Sequence, residues 1–270
     1  MPIPVLQKVQ ATTEAFYNQL HSYGSKTRTY ANSLKGTGKN TAKRFVIFCQ
    51  GRTGSTLLCN LIHKHPAIYC DQEILSKPRW RALHFVLGKR NRAQEVTLYG
   101  FKVKFYQLTN QQDIAPDRFV RTLSNRGWKV IYLWRRNVLR HSISGHMAAA
   151  KNLWHAKKNS DDQKSKVEKA VHIDPDALLR DAYQRRIWLK KERSALEGIN
   201  FFEINYEDDL LTQDDRARTL PQLFDFLGVV PKVFQPDTVR TSKKDLSEQI
   251  SNYAEVVDCV EKSPFKHMLP

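Results

Sequence analysis

A loop of small residues, Gln50-Gly51-Arg52-Thr53-Gly54-Ser55-Thr56, separates an apolar run (Phe45 to Cys49) from an apolar-periodic segment that begins at Leu57 and Leu58. A strand, then such a loop, then a helix N-terminus turns several backbone N–H groups and a helix dipole toward one point. That arrangement predicts a bound phosphate or sulfate. The spacing is not that of a nucleotide-triphosphatase loop, which needs G-x-x-x-x-G-K-[ST]. Here the glycines are Gly51 and Gly54, and no lysine follows the second. The cation, Arg52, comes earlier, which argues against ordinary ATP hydrolysis.

The same order recurs downstream. Trp128 to Trp134 reads as a central strand, Arg135-Arg136-Asn137 as a polar turn, and the residues from Val138 as a helix with Asn137 as its N-cap. Arg136 at the strand end offers a planar five-donor fork suited to a phosphate. Ser144, about two turns into the helix, is placed to donate a hydroxyl to the same oxygens. The plainer reading has Arg135, Arg136 and Arg140 as a solvated basic face and Ser144 as a small packing residue. Two anion sites at the carboxyl ends of strands in one sheet tip the balance, since they suit a nucleoside with phosphates at two ends. Lys102 and Lys104 alternate on a further strand and so face one side of it. A lysine on an inner face is costly unless it meets an anion.

These residues need a sheet to hold them. The pattern predicts strands at 44–49, 67–70, 97–103, 128–134 and 199–204, and helices at 54–64, near 79–90, and at 115–125, 137–150 and 175–196. Strands alternating with helices imply an α/β domain, a mainly parallel sheet with helices on both faces. Residues 5–22 read as a peripheral amphipathic helix and 24–43 as a polar, glycine-containing linker. Residues 151–174 lack a clear period and read as a long loop.

The 270 residues are 41% apolar and 10% aromatic, which suits a folded domain. The net charge of +17 favours anionic partners, although the basic residues are spread along the chain and solubility explains them equally well. Cys49, Cys59, Cys70 and Cys259 form no C-x-x-C pair, which argues against structural zinc and for buried thiols in a reducing compartment. No apolar run approaches the ~20 residues of a membrane span, and the N-terminus lacks the features of a signal peptide. A cytoplasmic location is expected, with peripheral membrane contact and oligomeric state left open.

Together these motifs resemble those of sulfotransferases that use 3′-phosphoadenosine 5′-phosphosulfate. In that family a loop of the form (Arg/Lys)-(Ser/Thr)-Gly-(Ser/Thr)-(Ser/Thr) holds the 5′-phosphosulfate, and here it reads Arg52-Thr53-Gly54-Ser55-Thr56. An arginine at a strand end and a serine eight positions later hold the 3′-phosphate, which Arg136 and Ser144 match. Gly100-Phe-Lys-Val-Lys104, Asp174-Pro-Asp176 and Leu246 to Tyr253 are similar to the bacterial glycan-directed branch, of nodulation-factor and trehalose type. The resemblance runs from about 44 to 262 and leaves residues 1–43 as an N-terminal helix and linker before a P-loop-like sulfotransferase domain at 44–270. It implies sulfuryl transfer to a hydroxyl of a glycan or glycolipid, with adenosine 3′,5′-bisphosphate as product and no metal. By the same resemblance Arg52 supports the leaving phosphate and Glu73, emerging with Asp71 and Gln72 from the second strand, is the base. Asp71 is its substitute and His84 a weaker one. Lys102 would orient Glu73 or the sulfuryl group, Thr241 and Lys243 would close over the 3′-phosphate or adenine, and the loops at 74–96 and 151–174 would select the acceptor. Two other classes remain. A P-loop-type nucleotide kinase lacks its Gly-Lys-(Ser/Thr), and a basic nucleic-acid-binding protein lacks any helix-turn-helix, RNA-recognition or zinc motif, so no nucleic-acid partner is expected.

Overall fold

The computed structural model describes residues 29, 43–89, 97–151, 170–232, 234 and 245–269. The helix expected at 5–22, nearly all of the linker, and Thr241 and Lys243 lie outside these residues.

Strand β1 (Lys43–Cys49) has Phe45 to Cys49 at 0% exposure. A strand can bury five successive residues only if both its faces are covered. It lies at the centre of a sheet in the order β2-β3-β1-β4-β5, formed with β2 (Ile68–Asp71), β3 (Leu98–Lys104), β4 (Trp128–Trp134) and β5 (Phe201–Asn205). All four pairings are parallel. The two-residue period of the strand then splits the core. Val46 and Phe48 join Phe101, Val103, Val130 and Tyr132 on one face; Phe45, Ile47 and Cys49 join Ile131 and Leu133 on the other.

The first face is covered by α2 (Ala82–Gly88), α3 (Phe105–Gln112), α4 (Pro116–Ser124) and the end of α6 (Pro175–Ala195). The second is covered by α1 (Ser55–His63) and α7 (Gln213–Leu227). A third cluster joins α5 (Val138–Ala150) to α6 and to α9 (Tyr253–Glu261), which follows the short α8 (Leu246–Gln249). The expected three-layer α/β architecture is present, and β4 has the expected bounds. Helices α3, α7, α8 and α9 lie outside the helices expected from the sequence. Helix α3 starts at the residue after β3, so no turn residue marks it, and α7 carries Pro221 in its interior, a residue that reads as a helix breaker.

Close packing explains one glycine. A Cβ on Gly100 would lie 2.3 Å from the Phe45 ring, its partner across β1 and β3. Cys49, Cys59 and Cys70 are buried free thiols, and His63 and His65 bond backbone groups of Cys70, Ala67 and Val230. Among the described residues no helix is long and apolar enough to cross a membrane.

Candidate active site

The carboxyl ends of all five strands meet at one edge of the sheet, the edge where ligands bind in open α/β sheets. From β1 comes the loop Gln50 to Gly54, closed by a hydrogen bond from Thr53 Oγ1 to Gln50 O (2.8 Å). Arg52 and Gly54 both have positive φ, 70° and 85°. For an arginine that left-handed conformation is strained by roughly 1–3 kcal/mol and is kept only where the surroundings fix it. Gly54 is required for a second reason, because a Cβ there would sit 2.6 Å from the Tyr206 ring. Helix α1 follows with neither an acidic residue in its first turn nor a side-chain cap, so no carboxylate of its own first turn competes for its dipole.

Glu73, just past β2, lies at the centre of the next group. Its Oε1 is 3.4 Å from Lys102 Nζ and its Oε2 is 2.8 Å from Lys104 Nζ. Gln107 Nε2 donates to the same Oε2 (2.7 Å), while Gln107 Oε1 accepts from Lys104 N (3.0 Å). Lys102 is 1% exposed, and its Nζ also donates to Thr56 Oγ1 (2.7 Å). One buried ammonium thus joins the carboxylate to the anion loop. Burial alone would raise the Glu73 pKa, but the hydrogen bond and charge of Lys104, then Lys102 and Gln107, outweigh it and hold the carboxyl below its ordinary value. The inner-face lysines therefore do meet an anion. Asp71 is committed elsewhere, to Lys89 Nζ (3.3 Å) and Tyr99 Oη (2.9 Å), and His84 is exposed on α2.

Beyond β4 the two arginines diverge. Arg135 points inward with its side chain 12% exposed, donates to Glu207 Oε1 (3.0 Å) and stacks 5.0 Å from the Tyr206 ring. Arg136 is 60% exposed at its side chain and pairs with Asp208, while its backbone N–H donates to Glu207. Asn137 caps α5 as expected, accepting from Arg140 N (2.8 Å). Ser144 is brought to the first anion loop: Arg52 Nε donates to Ser144 Oγ at 3.3 Å. The Arg52 guanidinium is disfavoured first by burial and then by the charges of Arg135 and Arg185, which lower its pKa. Arg135 and Arg185 thus lie near enough for their charges to disfavour that of Arg52, which an added anion would relieve.

A further layer, not seen in the sequence, supports the loop from behind. Arg185 Nη1 donates to Gly51 O (3.3 Å) and touches His141 Nε2 (2.7 Å), which itself lies 2.5 Å from Gly51 O. Burial, followed by the charge of Arg185, pushes the His141 pKa well down and keeps the ring neutral. Arg185 is held by Asp181 at 2.8 Å, one helical turn earlier. That Asp-x-x-x-Arg spacing was the one sequence signal for it. Thr53 lies in the loop and Ser55 and Thr56 open helix α1, whereas Thr241 and Lys243 fall outside the described residues.

No protein-family model matches the chain, and no curated protein matches it. Among solved structures it is similar to a sulfotransferase from Alicyclobacillus acidocaldarius, at 17% identity over 84% of this chain and 96% of that one, with a TM-score of 0.46. It is also similar to the mouse sulfotransferase SULT7A1 complexed with PAP, at 13% identity over 89% of this chain and 71% of that one, with a TM-score of 0.37.

Proposed function

We propose that this chain is a sulfotransferase that moves a sulfuryl group from 3′-phosphoadenosine 5′-phosphosulfate to a hydroxyl of a glycan or glycolipid. The observation that carries this reading is the unit Glu73–Lys102–Thr56, in which an ionised carboxylate, a buried cation and the anion loop share one set of contacts. Sulfuryl transfer resembles phosphoryl transfer, a loose in-line displacement that asks for positioning and charge support more than for covalent chemistry. The acceptor oxygen forms the new S–O bond as the bond from sulfur to the 5′-phosphate oxygen breaks. Glu73 takes the hydroxyl proton. Arg52, Lys102 and the N–H groups of Thr53 to Thr56 support the charge that appears on the phosphate. Arginine is no proton donor at neutral pH, so the role of Arg52 is electrostatic. Arg136 and Ser144 hold the 3′-phosphate, with Arg136 exchanging Asp208 for it. The acceptor class rests on the resemblance to the glycan-directed branch. Lys77, Arg79 and Arg81, which follow Glu73 on the same segment, suit an acidic or lipid-linked sugar.

Calorimetry with adenosine 3′,5′-bisphosphate tests the assignment. The wild type should bind, and Arg136→Ala and Ser144→Ala should each weaken binding about tenfold or more, the worth of one hydrogen bond to a charged group (roughly 1.5–3 kcal/mol). Full affinity in both variants would remove these two residues from the 3′-phosphate site. A wild type that does not bind would remove the function.

A further inference from the structure

Behind the anion loop, α6 presents a carboxyl group to the end of β1. Glu192 is 0% exposed. Its Oε2 accepts from Gln50 Nε2 (3.1 Å) and from Tyr132 Oη (3.2 Å). Among the described residues its Oε1 has no hydrogen-bond partner, and neither has Gln50 Oε1. Two buried acceptor oxygens are thus left without donors, on two groups that already share one hydrogen bond. Leaving such atoms unsatisfied is costly, and each such case asks for a physical cause. A single proton resolves both. A hydrogen on Oε1 would turn that acceptor into a donor for Gln50 Oε1, on the side chain whose Nε2 already donates to Oε2.

We propose that Glu192 is a neutral carboxylic acid in the folded protein and, by clamping Gln50, is a positioning residue for the anion loop. Gln50 is the hinge of that loop, since its carbonyl accepts from Thr53 Oγ1 and the N–H groups of Gly51 to Thr56 follow it. The groups around Glu192 agree with a neutral acid. From its own helix, Arg185 is taken by Asp181, Gly51 O and His141, and Arg193 by Glu203 of β5. Tyr132 of β4 and Gln50 supply neutral donors, and Cys49 of β1 is a buried thiol pushed up to about 11 by desolvation. Burial pushes the Glu192 carboxyl up to about 8, against the hydrogen bonds of Gln50 and Tyr132 and the charges of Arg185 and Arg193.

The sign of the pH effect follows. An unfolded glutamate releases its proton near 4.5, whereas the folded one keeps it to about 8. Between those values the folded state binds more protons, so this group lowers stability as pH rises through the window. Glu192→Gln keeps the neutral shape, with an N–H aimed at Gln50 Oε1, and has no such slope. The Tm of Glu192→Gln minus that of the wild type should therefore widen between about pH 5 and pH 8, by roughly 2–4 °C or more. A difference that stays constant overturns the neutral acid. Positioning is read separately, by hydrogen exchange of the peptide spanning Gln50 to Thr56. Wild type and Glu192→Gln should match at about pH 6, and the wild type should exchange faster at about pH 9. Equal exchange at both values overturns the clamp. Neither measurement uses a ligand, so a failure of bisphosphate binding would sink the proposed function and leave this inference standing.

Discussion

Glu73 pairs ionisation with weak basicity. Lys104 and Lys102 keep it charged, and the same contacts lower its affinity for the proton it is proposed to take. A base of this kind works by position more than by pKa. Glu73→Gln should bind adenosine 3′,5′-bisphosphate as the wild type does and lose transfer by roughly 10²–10⁴-fold; near-normal turnover would remove Glu73 as the base. Because its folded pKa lies below the ordinary value, activity should survive acidification through the usual carboxylate range and fall only below it. Replacing Lys104 with methionine removes the largest lowering influence, so the acid limb of kcat/KM should move to higher pH. A limb that does not move would assign it to another group. Glu73 was singled out in the sequence by its place after a strand end beside the loop together with the family resemblance. Gln107 was not, because what marks it is a contact with a residue 34 positions away.

Among the elements, the loop and the sheet fail in different ways. Gly54 stands against Tyr206 at the site and Gly100 against Phe45 in the core. Gly100→Ala should cost about 1–3 kcal/mol of stability through overpacking, read by denaturant unfolding, and leave the bisphosphate affinity of the folded fraction intact. Gly54→Ala meets both a φ of 85° and the Tyr206 ring, so it should abolish binding at a smaller loss of stability. Equal loss of binding in both variants would mean that the loop has no autonomy from the sheet. The elements most legible in the sequence were those with periodicity and punctuation at both ends, as in β1 and its loop, or β4 and the Asn137 cap. Helix α3 escaped because Lys104 ends a strand and Phe105 begins a helix with no glycine, proline or Asx residue between them. Inward Arg135 and outward Arg136 could not be told apart either, since they are adjacent and chemically identical. Their directions are set by Glu207 and Asp208, some seventy residues later, on a turn that β5 positions.

For the whole molecule, the net charge of +17 and the charges of the site act over different distances. The excess is spread along the chain, so it creates a field that an anionic nucleotide feels before contact. At about 0.15 M ionic strength that field is cut off beyond ~8 Å. The inner contacts of the site are shielded from salt by the protein itself, with Lys102 1% exposed and the Arg135 side chain 12%, whereas Arg136 at 60% is open to it. Salt should therefore act on arrival more than on departure. Stopped-flow binding of adenosine 3′,5′-bisphosphate should show an association rate that falls severalfold as ionic strength rises to about 0.15 M and beyond, with the dissociation rate nearly constant. Single-stranded DNA of random sequence, held only by the diffuse charge, should dissociate faster as salt rises. If instead the bisphosphate off-rate carried the salt dependence, or DNA outlasted the nucleotide at physiological salt, the buried cluster would not be the anion site, and a nucleic-acid partner would account better for the charge.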